Sequence, residues 1–475
     1  MVGPLFLFFL QATAYQAGMQ AYTEHRFADA IPWFEKAAAG GSETLVAEFM
    51  LGNACLQTHQ QEKAVEAYAA LFQAGKDSAA AHLLTAAMML RAGMTAEAAG
   101  QASQATAADA RIPQAHYLLG EAALAQGESS QAIAEFQKEI AADPSFFMPY
   151  YRLGEAYEKR GDWDDALSVL QRAIWLNPNH NGPYVLIGAA YLQRGDVDDA
   201  RVAWQHAAQM DPRDQTVRQW LEDASRRQPA ANRPQPPAVE LAARKEYLAG
   251  RLQAAIPLLE KAHASGVRNN ELFFLLGNCY LQTHQVAKGR AAFAELYGVP
   301  PESAAARLFA AHMLMRLEFE DDAQAELEAA LAGDPKIPEA HFMLGEVAIY
   351  RAQLDRAGQE FQREIVLNPG FAKAYYRLGD TYTRSEDWEH AVPPLQRAVW
   401  LDPTYSGPYI LLGKTYLKKG NLPEAERMLR RSLQMDPQNA SAHYLLGRTL
   451  IQAGHADEGK QLLSQWEKLK QRSDQ

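Results

Sequence analysis

The chain repeats itself every 34 residues, and that period constrains the fold more than any other property. Leu/Ile-Gly pairs stand at Leu119-Gly120, Leu153-Gly154 and Ile187-Gly188, and again at Leu344-Gly345, Leu378-Gly379, Leu412-Gly413 and Leu446-Gly447, spaced by 34. Leu51-Gly52 and Leu276-Gly277 lie two periods upstream, with Ala86 and Ala311 in the intervening register. Twelve residues after the glycine comes a small residue (Ala132, Ala166, Ala200, Ala357, Ala391, Ala425), and twenty-four after it a proline (Pro144, Pro178, Pro212, Pro369, Pro403, Pro437). Glycine and alanine mark where two helices cross closely, large apolar residues fill the groove between them, and proline starts the next helix, where its missing N–H costs nothing. Each pair exposes an apolar face that only the next pair can cover. The expected fold is all-α, built of stacked antiparallel helix pairs.

A second level of repetition lies above the first. LGNACLQTHQ from Leu51 answers LGNCYLQTHQ from Leu276, RIPQAHYLLGE from Arg111 answers KIPEAHFMLGE from Lys336, and LQRAIWLNP from Leu170 answers LQRAVWLDP from Leu395, all at an offset of 225. The expected domains are a first block over 11–224, closed by a capping helix at about 214–224, and a second block over 238–475. SRRQPAANRPQPP, 225–237, is polar and proline-rich and reads as a linker. Residues 1–10 are an apolar segment outside the array. LFLFFL followed by Ala12-Thr13-Ala14 is like the end of a secretory signal, which points to export into the periplasm rather than the cytoplasm.

Composition excludes several functions. A net charge of −11 opposes nucleic acid, whose phosphates need lysine and arginine. No apolar run reaches the roughly 20 residues that span a bilayer. Cys55 and Cys279 occupy equivalent places in distant segments and read as buried apolar residues. Walker, zincin, nucleophile-elbow and dinucleotide motifs are absent, and the reading is of a non-enzyme without cofactor or metal. His59 and His284, and His116, His341 and His443, recur at fixed repeat positions, as packing or copying produces. Glu139 and Glu364 replace the usual small residue nineteen after the glycine, and Arg152 and Arg377 are their expected partners.

LGEAYEKRGDWDDALSVLQRAIWLNP, Leu153 to Pro178, resembles the tetratricopeptide repeat almost position for position. The resemblance covers nearly the whole chain. It departs from the family pattern at Ala86 and Ala311, where glycine is lost, and at Lys76 and Ala110, where proline is lost. It implies a right-handed superhelical solenoid whose first helices line a concave groove. Positions three before and one after the glycine then face inward. Tyr117, Tyr151, Phe342 and Tyr376, with Glu121, Glu155, Glu346 and Asp380 beside them, are the expected partner surface. Aromatic anchors among polar groups are what peptide-binding faces use, although the same rings could pack against neighbouring helices. Acidic groups in the groove point to proteins or peptides with basic segments. Asn53, Asn278, Lys373 and Arg377 match parts of the family's carboxylate clamp, but Leu308 and Met343 stand where its lysine and asparagine belong, so capture of a chaperone tail is not expected. The expected function is a scaffold that holds peptide or protein segments. The alternative is a regulatory or assembly subunit of an enzyme or envelope complex whose catalyst is another chain.

Overall fold

A computed structural model describes residues 14–39, 44–226 and 237–473. Among them every regular element is a helix, and the chain is an all-α repeat solenoid. The expected apolar segment 1–10 and most of the linker 225–237 lie outside the described residues. Over the expected capping segment lies the helix Gln215–Arg226, whose Val217, Leu221 and Ala224 pack with Val197, Trp204 and Ala207. No described helix is long and apolar enough to cross a membrane.

Within each pair the register glycine is forced by its neighbour sixteen residues on. A Cβ at Gly120 would sit 2.4 Å from the Phe136 ring, at Gly154 2.5 Å from Leu170, and at Gly345 2.4 Å from the Phe361 ring. The small residue at plus twelve lies at the same crossing, since a Cβ at Gly459 would come 2.7 Å from the Gly447 carbonyl oxygen. First helices end in the left-handed region seven residues after the glycine, through Gly127, Gly161, Gly195 and Gly420. His59 and His284 hold that same turn position, both with φ 57°, which other repeats fill with Ala352 and Glu386.

The chain forms two compact units, and they are not drawn along the two sequence blocks. One unit joins residues 1–87 to 341–475, and the other is 88–340. In the first unit Phe49 stacks on Trp400 at 5.0 Å, Phe72 meets Tyr375 edge-on at 6.0 Å, and the Arg397 Nε donates to the Leu71 carbonyl at 3.0 Å. In the second unit Trp175 stacks on Phe274 at 4.6 Å and Tyr150 meets Tyr297 edge-on at 6.1 Å. Arg316 donates to the Trp175 carbonyl at 2.7 Å, and Asn270 donates to the Ser168 carbonyl at 3.2 Å. The two joints use the same register positions: Trp175 and Trp400, Phe274 and Phe49, Tyr150 and Tyr375, and Tyr297 and Phe72 are each 225 apart.

Buried carboxylates support the helix starts. Glu139 accepts the backbone N–H of Gln114 at 2.7 Å and of Tyr117 at 3.0 Å, at the N-terminus of the helix Ala115–Ala125. Glu364 accepts from the Phe342 N–H at 3.2 Å at the equivalent place. The expected pairing of these glutamates with Arg152 and Arg377 is therefore corrected. A second-helix residue at this register points at the free N–H groups that start the first helix of its own repeat. The two arginines stand on the first helix of the next repeat and find other partners.

Burial pushes the Glu139 carboxyl up to about 7, with the backbone N–H groups acting the other way. Burial likewise raises Asp143, which accepts from the Ser145 hydroxyl at 2.8 Å, to about 6. Raised carboxyl values mean that the folded state binds more protons than the unfolded chain between about pH 4.5 and 7. Stability from this site is greatest at the acid end of that window and is lost as pH rises through it, by at most about 1.4 kcal/mol per pH unit for each group. We expect the unfolding midpoint of Glu139→Gln, measured against the parent chain from pH 5 to 8, to show a shallower decline. Identical slopes would mean that Glu139 titrates normally.

Candidate functional site

The positions expected to face inward form two similar arrays, one in each unit. In the unit 88–340, the helices Ala115–Ala125 and Phe147–Arg160 carry Tyr117, Glu121, Tyr151 and Glu155. The Arg152 Nε donates to Glu121 at 2.5 Å, and Arg152 Nη1 donates to Glu155. Lys159 adds a contact to Glu155 at 3.1 Å. In the other unit, Arg377 donates to Glu346 at 2.5 Å and approaches Asp380 to 3.6 Å, and Arg384 donates to Asp380 at 3.0 Å. One arginine thus bridges the carboxylates of two successive first helices in each array.

Burial raises Glu121 and Glu346 above the ordinary carboxyl range, and the facing arginine lowers them. Each of these four carboxylates is paired with a cation of the chain.

The four aromatics are half-buried, and each lies against a second ring. Tyr117 meets Phe146 edge-on at 5.3 Å, Tyr151 meets His180 at 5.1 Å, Phe342 meets Phe371 edge-on at 5.0 Å, and Tyr376 meets Tyr405 edge-on at 5.0 Å. Packing against neighbours is therefore part of their role. Phe146, His180, Phe371 and Tyr405 are residues that sequence reading missed. All four stand twenty-six after a register glycine, just past the proline, and that recurrence was the available signal. Gly182 makes room for the Tyr151 ring, since a Cβ there would lie 2.6 Å from its Cζ.

The recurring histidines have carboxylate or carbonyl partners. His116 lies 2.7 Å from Glu135, His341 lies 2.7 Å from Glu360, and His443 lies 3.0 Å from the Pro437 carbonyl. No group of three or more His, Cys, Asp or Glu among the described residues is placed to hold a metal ion. Cys55 and Cys279 are free, buried thiols, each pushed up to about 11 by burial.

Family models described as tetratricopeptide repeat match residues 90–145, 149–180, 310–370, 374–409 and 416–475. The chain is a tetratricopeptide repeat protein. Such repeats are a protein-interaction scaffold, and the family is typically non-catalytic. This tetratricopeptide repeat protein is similar to a crystal structure of MamA, at 22% identity over 34% of this chain and 96% of that one, with a TM-score of 0.32. It is also similar to YrrB, described as a tetratricopeptide repeat protein with an unusual peptide-binding site, at 22% identity over 38% of this chain and 93% of that one, with a TM-score of 0.34. The Cut9–Hcn1 hetero-tetramer of the APC/C is 15% identical over 93% of this chain and 96% of that one, with a TM-score of 0.33. A search of curated proteins finds no match.

Proposed function

We propose that this protein holds segments of partner proteins along the inward row of its first helices, without catalysing a reaction. The observation that carries the reading is the pairing of half-buried rings with arginine-bridged carboxylates, repeated at the same register in both units. Rings already fixed by a neighbour lose little freedom when a partner covers them, which is what makes such positions effective anchors. The bridged carboxylates fix the arginine planes and leave polar edges for backbone groups of an extended segment.

The test compares two variants in affinity capture from the source cell, followed by titration with the captured partner. Tyr151→Ala with Tyr376→Ala should weaken binding by about 1–2 kcal/mol per anchor at unchanged helicity. Asp164→Ala with Glu389→Ala removes exposed carboxylates that pair with Arg194 at 2.7 Å and Lys419 at 2.6 Å, and should leave binding within about twofold. Sensitivity at Asp164 and Glu389 without sensitivity at the tyrosines would place binding on the other face.

A further inference from the structure

The two arrays differ in charge further along the same row. In the helices Ala372–Arg384, Ser406–Lys418 and Ala440–Gln452, the residue one after the register glycine is Asp380, Lys414 and Arg448, and the residue five after it is Arg384, Lys418 and Gln452. Lys414 and Lys418 are one helical turn apart on one face. The first helices of these three repeats run side by side, so Arg384, Lys414, Lys418 and Arg448 form a cationic stripe in the unit 1–87 plus 341–475. Arg384 alone of the four is spoken for, by Asp380 at 3.0 Å. Lys414, Lys418 and Arg448 take part in no ion pair among the described residues.

Their surroundings are aromatic instead. Lys414 and Lys418 each lie 5.8 Å from the Trp388 ring centre, and Arg448 lies 5.8 Å from that of Tyr444, which itself packs on Trp466 at 5.0 Å. A cation over a ring is held in place but keeps its charge. In the duplicated half, the counterparts of Lys414, Lys418 and Arg448 are Ala189, Gln193 and Asp223, while Trp163 is kept as the counterpart of Trp388. The platform is common to both halves and the cations belong to one.

We propose that this stripe docks an acidic segment of a partner protein, with Asp and Glu side chains on Lys414, Lys418 and Arg448 and apolar residues against Trp388 and Tyr444. This rests on the inward-row reading above and gives it a partner class. Three unpaired cations on a protein of net charge −11 are a local exception to its field. That background repels a long polyanion such as nucleic acid, whereas a short acidic segment meets the exception alone.

The test uses the full chain and fluorescence anisotropy with three labelled probes of equal length: an Asp/Glu peptide with interspersed leucines, its Lys counterpart, and oligo-dT. The acidic peptide should bind, more weakly with added salt, and Lys414→Glu/Lys418→Glu/Arg448→Glu should reduce its affinity by at least about tenfold. The second-helix control Arg427→Glu/Arg431→Glu/Lys460→Glu makes the same change in net charge and should stay within about twofold. The proposal is overturned if the acidic peptide does not bind, if both triple variants lose it equally, or if oligo-dT binds more tightly. Acidic-peptide binding that responds to Tyr376→Ala but not to charge reversal leaves the inward row standing and removes the stripe. Binding that responds to charge reversal and not to Tyr376→Ala does the opposite.

Discussion

Trp400→Ala should loosen the helix Thr44–Gln57, more than three hundred residues away in the chain. Trp400 is 9% exposed and stacks on Phe49 at 5.0 Å, so truncation opens a cavity between the segments that make up the unit 1–87 plus 341–475. Loss of a large aromatic from such a site costs about 3–5 kcal/mol. In a repeat array contacts are otherwise between neighbours, so the effect should be local. Hydrogen exchange is the direct readout. Amides of Thr44–Gln57 and of its partner helix Gln61–Leu71 should lose protection, while those of Phe147–Arg160 should not. Loss confined to helices adjacent to Trp400 in sequence would mean that the joint contributes nothing.

The second large effect is expected at Arg290. The residue is 7% exposed, and its guanidinium donates to Glu326 at 2.6 Å, to Glu302 at 2.7 Å and, through Nε, to the Pro301 carbonyl at 3.0 Å. Arg307 approaches Glu326 from the other side at 3.3 Å. Arg290→Met leaves a buried carboxylate with one partner at long range and a carbonyl with its donor removed. Breaking a buried pair from one side costs about 3–5 kcal/mol, and the remaining Arg307 contact sets the expectation at the lower end, about 3 kcal/mol. The duplicated half shows how the site can be built without charge: Val65 and Gln101 stand at the positions of Arg290 and Glu326. The double variant Arg290→Val/Glu326→Gln should therefore recover most of the loss in denaturant unfolding. A double variant as unstable as the single one would show that the cost lies in the lost guanidinium contacts rather than in the stranded carboxylate.

The helix pairs were legible because their cause is local. A glycine must face the side chain sixteen residues later, and the requirement recurs with the period, visible without coordinates. The proline was expected to start the next helix, but Pro144, Pro178, Pro369, Pro403 and Pro437 each follow directly on the C-cap of the second helix and lie in the turn before it. The charged bridges were not legible. Arg152 lies thirty-one residues from Glu121 and thirteen from Glu139, and the choice between them depends on which helix face each occupies. Twofold occupancy of the aromatics was half legible. The rings at minus three were found, but their partners at plus twenty-six sit in connecting segments, where no helical periodicity directs attention. The joints were the least legible. They join positions by docking, which leaves no spacing rule, and only the recurrence of Trp175 and Trp400 in the matching segments from Leu170 and Leu395 hinted at them.

The joints obey an exchange rule. Where Trp175 of the first half meets Phe274 of the second, Trp400 of the second meets Phe49 of the first. Two identical subunits related by a two-fold axis have contacts of this kind, and in such a dimer any substitution is felt at both places at once. Here the two copies are written separately in one gene. A change at Phe49 touches one joint and leaves Phe274 as it was. Tyr297 where its counterpart is Phe72, and Lys414 where its counterpart is Ala189, show the same licence in use: each half carries its own chemistry at a shared register position.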